Sequence, residues 1–467
     1  MKIGSWLLLA GLVAATPCLA QEDPPSELLV LYQSAIAKSP QLAQVQASHD
    51  ATSHGLRDAY MGLGPRVNWV FDNSRERLQI YRSSNPLYTV GITNFPNYSN
   101  TLEVAQPIFD GRLLGQLRVA WASLRRSGQE VDSARQRITF ELIQSYLVTL
   151  GSFDGYDVAL AETAALQRHK EELDLRVARG LSSQSDLDEV AARLQSSRAS
   201  AINAAAVLDE SFTTLERRSG MGVASLLPLA GRISMPRPDP ATPADWVAQA
   251  RKQNPDVLAA VYATDEAWAG VETQAGAMLP RLEFRYTQSR IDSGGSVYGP
   301  GSLNSDKVAM LRLTIPLFNG DGQGYPVFAA RSRWRAAQYH AEDQRQDVEE
   351  RVKTGFTEVV ANAGRGAELA KAVDAQARVV ESKRQRFSAG VAKITDVLDA
   401  ERDFFQYRRQ ELGSRYNYLL NMVSLKRLAG TISEDDVQFI NAQLDRGARL
   451  VRRVDLPVLE TVGNKSP

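Results

Sequence analysis

The chain has 467 residues, 43% hydrophobic and 23% charged, which is too apolar for a disordered chain and long enough for about three average domains or fewer large ones. Its 54 Lys and Arg balance 54 Asp and Glu, so it lacks the basic footprint of a nucleic-acid binder. One cysteine excludes a disulfide scaffold and a cysteine zinc site, and four scattered histidines (His49, His54, His169, His340) argue against a histidine metal site.

Residues 1–20 read as a signal peptide. Lys2 supplies the positive start, and Trp6 to Ala15 is an apolar run too short to span a bilayer. Cys18 and Ala20 fit a small-x-small cleavage site, so the mature chain is expected to begin at Gln21 with one net negative charge. Lipid attachment at Cys18 would need a small residue before it, and Pro17 stands there. Beyond Ala20 no apolar run reaches about 18 residues. The expectation is an exported chain without a transmembrane helix, bound for the periplasm, the medium or an outer-membrane β-barrel.

The rest of the chain is written twice. Ser39-Pro40 recurs as Asn254-Pro255, and Gly64-Pro65-Arg66-Val67-Asn68-Trp69 as Leu279-Pro280-Arg281-Leu282-Glu283-Phe284, both 215 residues on. Gln106-Pro107-Ile108-Phe109-Asp110-Gly111 returns 209 residues on as Ile315-Pro316-Leu317-Phe318-Asn319-Gly320. Arg179-Gly180-Leu181 and Ser219-Gly220 return at 210 as Ala389-Gly390-Val391 and Ala429-Gly430. The change of spacing places a variable loop between Pro65 and Pro107, as a solvent-facing hairpin turn would give. The repeats are assigned to 21–229 and 230–432, followed by a polar tail at 433–467.

Each repeat begins with a helix, continues with two strands and ends in very long helices. No proline lies between Pro107 and Pro228 or between Pro326 and Pro457, and both stretches are rich in helix formers. Glycines 180, 220, 390 and 430 read as helix stops. A helix from Arg112 to Arg179 would run about 100 Å, the length of a coiled coil or helical tube. Small residues (Ala191, Ala192, Ala199, Ala201, Ala204, Ala205, Ala206) permit close helix packing.

The strand segments alternate. Val67, Trp69 and Phe71 face away from Arg66 and Asn68, and Leu102, Val104 and Ile108 from Thr101, Glu103, Ala105 and Pro107. In the second repeat Leu282, Phe284 and Tyr286 alternate with Arg281, Glu283 and Arg285, and Leu311, Leu313, Ile315 and Leu317 with Arg312, Thr314 and Pro316. Aromatics at the strand ends (Trp69, Tyr286, Phe109, Phe318) suit interfacial girdles, while a soluble sheet with one wet face has the same pattern. Four strands cannot close a membrane barrel, which needs about eight, and open edges are not tolerated in lipid. A membrane-embedded sheet must be shared among subunits.

The motifs carry a resemblance. Phe387-Ser388-Ala389-Gly390-Val391-Ala392-Lys393-Ile394-Thr395-Asp396-Val397-Leu398-Asp399-Ala400, then Gln410-Glu411-Leu412, Arg415-Tyr416-Asn417-Tyr418 and Leu428-Ala429-Gly430-Thr431, resemble the TolC-like outer-membrane efflux and secretion channels. Arg179-Gly180-Leu181-Ser182-Ser183-Gln184-Ser185-Asp186-Leu187 is the first-repeat counterpart. The resemblance spans residues 25 to 432. It implies an α+β fold, a homotrimer in outer-membrane lipid with a shared twelve-stranded barrel, and a periplasmic tunnel of twelve helices. It also implies docking through a periplasmic adaptor onto an inner-membrane transporter of the ABC or RND type, with no cofactor and no resident metal.

Asp396 and Asp399, three residues apart, share a helix face. The resemblance places them at the periplasmic entrance, where threefold symmetry would gather six carboxylates into a cation-selective ring. The plainer reading makes Asp396 the N-cap of the following helix and Asp399 a solvated first-turn residue. For closure, the resemblance assigns Asp186 as the acidic partner beside Ser185. The family's basic position holds Ala392 here with Lys393 next to it, and Phe387 stands at the usual tyrosine. Gly180-Leu181 and Gly390-Val391 match the tips that adaptors recognise. No Ser/His/Asp set, phosphate loop or HExxH is present, so the chain does not read as an enzyme. Two alternatives remain: a periplasmic coiled-coil adaptor, which would need an anchor and a lipoyl-like module, and a secreted hydrolase with a helical rod.

Overall fold

The computed structural model describes residues 27–84, 86, 90–231, 235–296, 299–317 and 324–452. The signal peptide, the Phe318-Asn319-Gly320 motif and residues 453–467 of the tail lie outside them. The first repeat runs α1 (Leu28–Lys38), α2 (Pro40–Met61), β1 (Arg66–Ile80), β2 (Gly91–Phe109), α3 (Gly111–Ala178), α4 (Gln184–Ser219) and β3 (Ser225–Leu226). The second runs α5 (Pro243–Gln253), α6 (Pro255–Gly276), β4 (Arg281–Ser296), β5 (Gly299–Thr314), α7 (Tyr325–Ser388) and α8 (Ile394–Ala429). After it come α9 (Glu434–Asn441) and β6 (Leu450–Val451).

The repeated motifs mark helix boundaries. Ser39 and Asn254 are N-caps, with Pro40 and Pro255 at the first helical position where their missing N–H costs nothing. Ser39 Oγ accepts from the Leu42 amide at 3.3 Å, and Asn254 Oδ1 from the Asp256 amide at 2.9 Å. Asp110 caps α3 in the same way, accepting from the Arg112 amide at 2.9 Å. The four expected glycine stops all adopt the left-handed conformation, with φ of 71, 68, 73 and 77° at positions 180, 220, 390 and 430. At 68 residues α3 is about 100 Å long.

The four long strands form one antiparallel sheet in the order β1-β2-β4-β5. Ten residues separate Ile80 from Gly91 and two separate Ser296 from Gly299, so the expected length difference sits at the hairpin tips. Paired residues share a face, so the register sorts the side chains. One face, next to the helices, carries Val67, Trp69, Leu102, Phe284, Leu311 and Leu313. The other carries Arg66, Glu103, Glu283, Arg285 and Arg312, with Arg285 ion-paired to Glu103 at 2.9 Å and to Glu283 at 3.0 Å. Trp69 is 75% exposed and Leu311 66%. Water does not support such an apolar face. Two sequence expectations are corrected. Tyr286 lies within β4, paired with Val104 and Ala309, and is not at a strand end. β5 stops at Thr314, so Ile315 and Leu317 are outside it, because Pro316 has no N–H for the ladder.

The main core lies midway along the long helices, where Leu142, Ile143, Tyr146, Leu150 and Phe212 of α3 and α4 meet Leu28 and Leu31 of α1 and Trp246 of α5. Tyr146 donates to the Leu227 carbonyl at 2.9 Å. The segment expected as a polar tail belongs to this layer up to residue 452. Val437, Ile440 and Leu444 are buried in the core, Lys426 pairs with Asp436, and β6 pairs with β3. Ser433 caps α9 in a capping box with Asp436. Five of the eight residues of this short helix are charged or amide, which is why composition read it as a tail.

Candidate functional site

At the ends farthest from the sheet, each repeat closes with the same turn. Leu181 N–H donates to the Arg176 carbonyl at 2.8 Å and Gly180 N–H to Val177 at 2.9 Å. Val391 N–H donates to Arg386 at 2.9 Å and Gly390 N–H to Phe387 at 3.0 Å. These are Schellman motifs, which normally fold the apolar residue after the glycine back onto the residue whose carbonyl it bonds. Here that residue is an arginine in both repeats. Leu181 and Val391 therefore project into solvent, 70% and 69% exposed.

The sequence-expected residues sit immediately behind these tips. Asp186 closes a capping box with Ser183, accepting the Ser183 amide at 3.3 Å while Ser183 Oγ takes the Asp186 amide at 3.2 Å. Ser185 is exposed in the same first turn. Asp396 accepts the Lys393 amide at 3.4 Å, and lysine offers no acceptor in return, so only half of that box forms. The N-cap of α8 is therefore Lys393 and not Asp396, which is the third helical residue and reaches back to the cap amide; its carboxylate also lies 3.7 Å from Lys383 Nζ. Lys393 and Asp186 have no ion pair among the described residues and do not meet each other. Phe387 is covered by the Arg176 guanidinium, 4.6 Å from the ring centroid, which joins α7 to α3. Asp399 is not merely solvated: it binds Arg193 of α4 at 2.9 Å and lies 3.5 Å from Arg402.

Asp399 is the last rung of a polar seam between the repeats, most of it between α3 and α8. From the core toward the tips, Tyr416 donates to Asp154 at 2.6 Å, Arg409 pairs with Glu162 at 2.8 Å, and His169 meets Glu401 at 2.9 Å. The rungs recur every seven or eight residues, as adjacent antiparallel helices require. Glu401 is 4% exposed and also binds Arg384 Nε at 2.8 Å. Burial alone would raise its carboxyl, but His169 and Arg384 outweigh that and hold it below the ordinary value. Burial pushes the Asp154 carboxyl up. Arg193, His169, Glu401, Arg384 and Arg176 were not singled out from the sequence. One signal existed. The 210-residue offset aligns Arg193 with Asp403, a reversal of charge between equivalent positions of the two repeats.

Paired helical hairpins carrying a sheet with one apolar and one polar face define a channel subunit of the helical-tunnel class. The chain belongs to the outer membrane efflux protein family, whose model matches residues 31–221 and 246–431, one stretch per repeat. It is 24% identical over 451 residues to the alkaline protease secretion protein AprF of Pseudomonas aeruginosa, covering 96% of this chain and 94% of that protein. It is 25% identical to the outer membrane protein TolC of Vibrio cholerae, covering 92% of this chain and 97% of TolC. The Campylobacter jejuni CmeC outer membrane channel superposes with a TM-score of 0.76 at 13% identity, over 94% of this chain and 98% of CmeC. The expected fold, family, channel class and outer-membrane location stand. The family is one of channels, so the hydrolase and adaptor alternatives fall.

Proposed function

We propose that three copies of this chain form one outer-membrane channel-tunnel that receives its cargo from an inner-membrane transporter through a periplasmic adaptor. The observation that carries the reading is the open four-stranded sheet with an exposed apolar face. Its edge strands β1 and β5 run antiparallel, so the edge of one copy can pair with the opposite edge of the next. Three copies give twelve strands, enough to close a barrel with a lumen lined by the polar face. The helices support the same assembly. Ala192, Ala199 and Ala206 form an exposed seven-residue stripe on α4, flanked by Ile202 and Val207 at 45% and 46% exposure.

The Leu181 and Val391 tips are the adaptor contacts, and Asp396 and Asp399 line the entrance. The α3–α8 seam holds the entrance closed, because its rungs must part before the α7–α8 hairpin can swing from α3–α4. Protein export by a type I system with an ABC transporter is supported by near full-length alignment with a protein named for protease secretion. Small-molecule efflux with an RND transporter is the second reading. Deleting the gene and measuring both the secreted proteins and drug susceptibility separates them. Loss of an exported protein with unchanged susceptibility supports secretion, and the reverse supports efflux.

A further inference from the structure

The outward face of the sheet changes character part-way along. Moving from the helices toward the hairpins, its main apolar band ends at Phe71 on β1, Leu102 on β2, Tyr286 on β4 and Ala309 on β5, beyond which Tyr98, Pro96 and Ile92 on β2 and Leu303 on β5 recur among polar residues. Leu102 pairs with Trp69, Tyr286 with Val104 beside Val67, and Ala309 with Tyr286. The edge thus steps down from β1 toward β5. A level membrane boundary gives this staircase on strands tilted by about 40°.

Beyond that edge the outward charges are Arg75, Arg77, Arg290 and Lys307, against one acid, Asp292. All four bases are exposed, and none has an ion pair among the described residues. By contrast Arg285 and Arg66 on the inward face are matched to glutamates, at 2.9 and 3.9 Å. At the same height the inward charges are all acidic: Asp72, Glu76 and Asp306. The sheet therefore separates charge through its thickness, with unneutralised cations outside. They lie two to six residues past the apolar edge, roughly 5–15 Å above it on tilted strands. That is the depth of headgroup phosphates.

We propose that this collar binds phosphorylated lipid of the outer leaflet, with Arg75, Arg77, Arg290 and Lys307 taking its phosphates. The inference rests on the barrel reading above. Closure would set β5 of one copy beside β1 of the next, bringing Arg290 and Lys307 alongside the neighbour's Arg75 and Arg77. The purified full-length protein in detergent is titrated with diphosphoryl lipid A and, separately, with zwitterionic phosphatidylethanolamine, and bound lipid is counted by native mass spectrometry. The wild type is expected to retain the diphosphoryl lipid under conditions that strip phosphatidylethanolamine. Arg75→Gln with Arg77→Gln, and Arg290→Gln with Lys307→Gln, should each weaken retention about tenfold, and all four together about a hundredfold or more. Arg75→Lys, Arg77→Lys and Arg290→Lys together should keep most of it. Equal retention of both lipids by the wild type, or undiminished retention by an assembled Gln variant, overturns the proposal. A wild-type mass other than a trimer would overturn the barrel reading instead.

Discussion

Glu401 shows what a single buried charge does in this seam. It is almost sealed from solvent and held by His169 and Arg384. Glu401→Ala leaves the Arg384 guanidinium and the His169 ring without their buried acceptor and should cost about 3 kcal/mol. Its carboxyl lies below the ordinary value in the folded chain, so its contribution is complete above the unfolded value of roughly 4.3 and is lost as pH falls through the folded one. Thermal unfolding followed against pH should therefore drop more steeply below about pH 4.5 in the wild type than in Glu401→Gln. Equal slopes would show that the pair contributes nothing. Asp396 and Asp399 are separated by their partners. Arg193 and Arg402 partly neutralise Asp399, while Asp396 has one ion pair among the described residues, the longer one to Lys383. In planar bilayers Asp396→Ala should lower cation selectivity more than Asp399→Ala, and Arg193→Ala should raise the conductance of the resting channel by releasing the seam. Unchanged selectivity in the double aspartate variant would reduce both residues to helix capping and internal pairing.

Among the elements, the helix tips are the features whose chemistry differs most from their usual role. Gly180 and Gly390 need the left-handed backbone, and alanine there should cost about 1 kcal/mol per site without altering the sheet. Leu181→Glu with Val391→Glu leaves the turns intact, since both side chains already point into water. It should abolish co-purification with the cognate adaptor and the export that depends on it, while the protein's mass in detergent stays the same. Retained co-purification would place docking elsewhere. These stops were legible in the sequence because the conformation allows little besides glycine, and the strands because burial on one face imposes a period of two. The seam was not legible. His169 and Glu401 are 232 residues apart, and Arg193 and Asp399 are 206 apart, so their meeting depends on how the two hairpins lie together. Helix α9 was missed for a related reason: eight residues with three acids at the start show little apolar periodicity.

For the whole molecule, duplication explains why one chain makes each layer twice, with equivalent helices, equivalent hairpins and equivalent turns that differ at the hairpin tips, at the end of β5 and in the charges of the seam. The duplication also sets the unsolved edge. Four strands with an exposed apolar face are stable in a membrane only when both edges are paired, and this chain cannot pair its own. Mass measurement of the intact protein in detergent tests that claim most directly. A species of three chains, resistant to dissociation until heated, is the predicted result. A monomer, or a dimer closing an eight-stranded barrel, would contradict it and with it the tunnel, the entrance ring and the shared lipid collar.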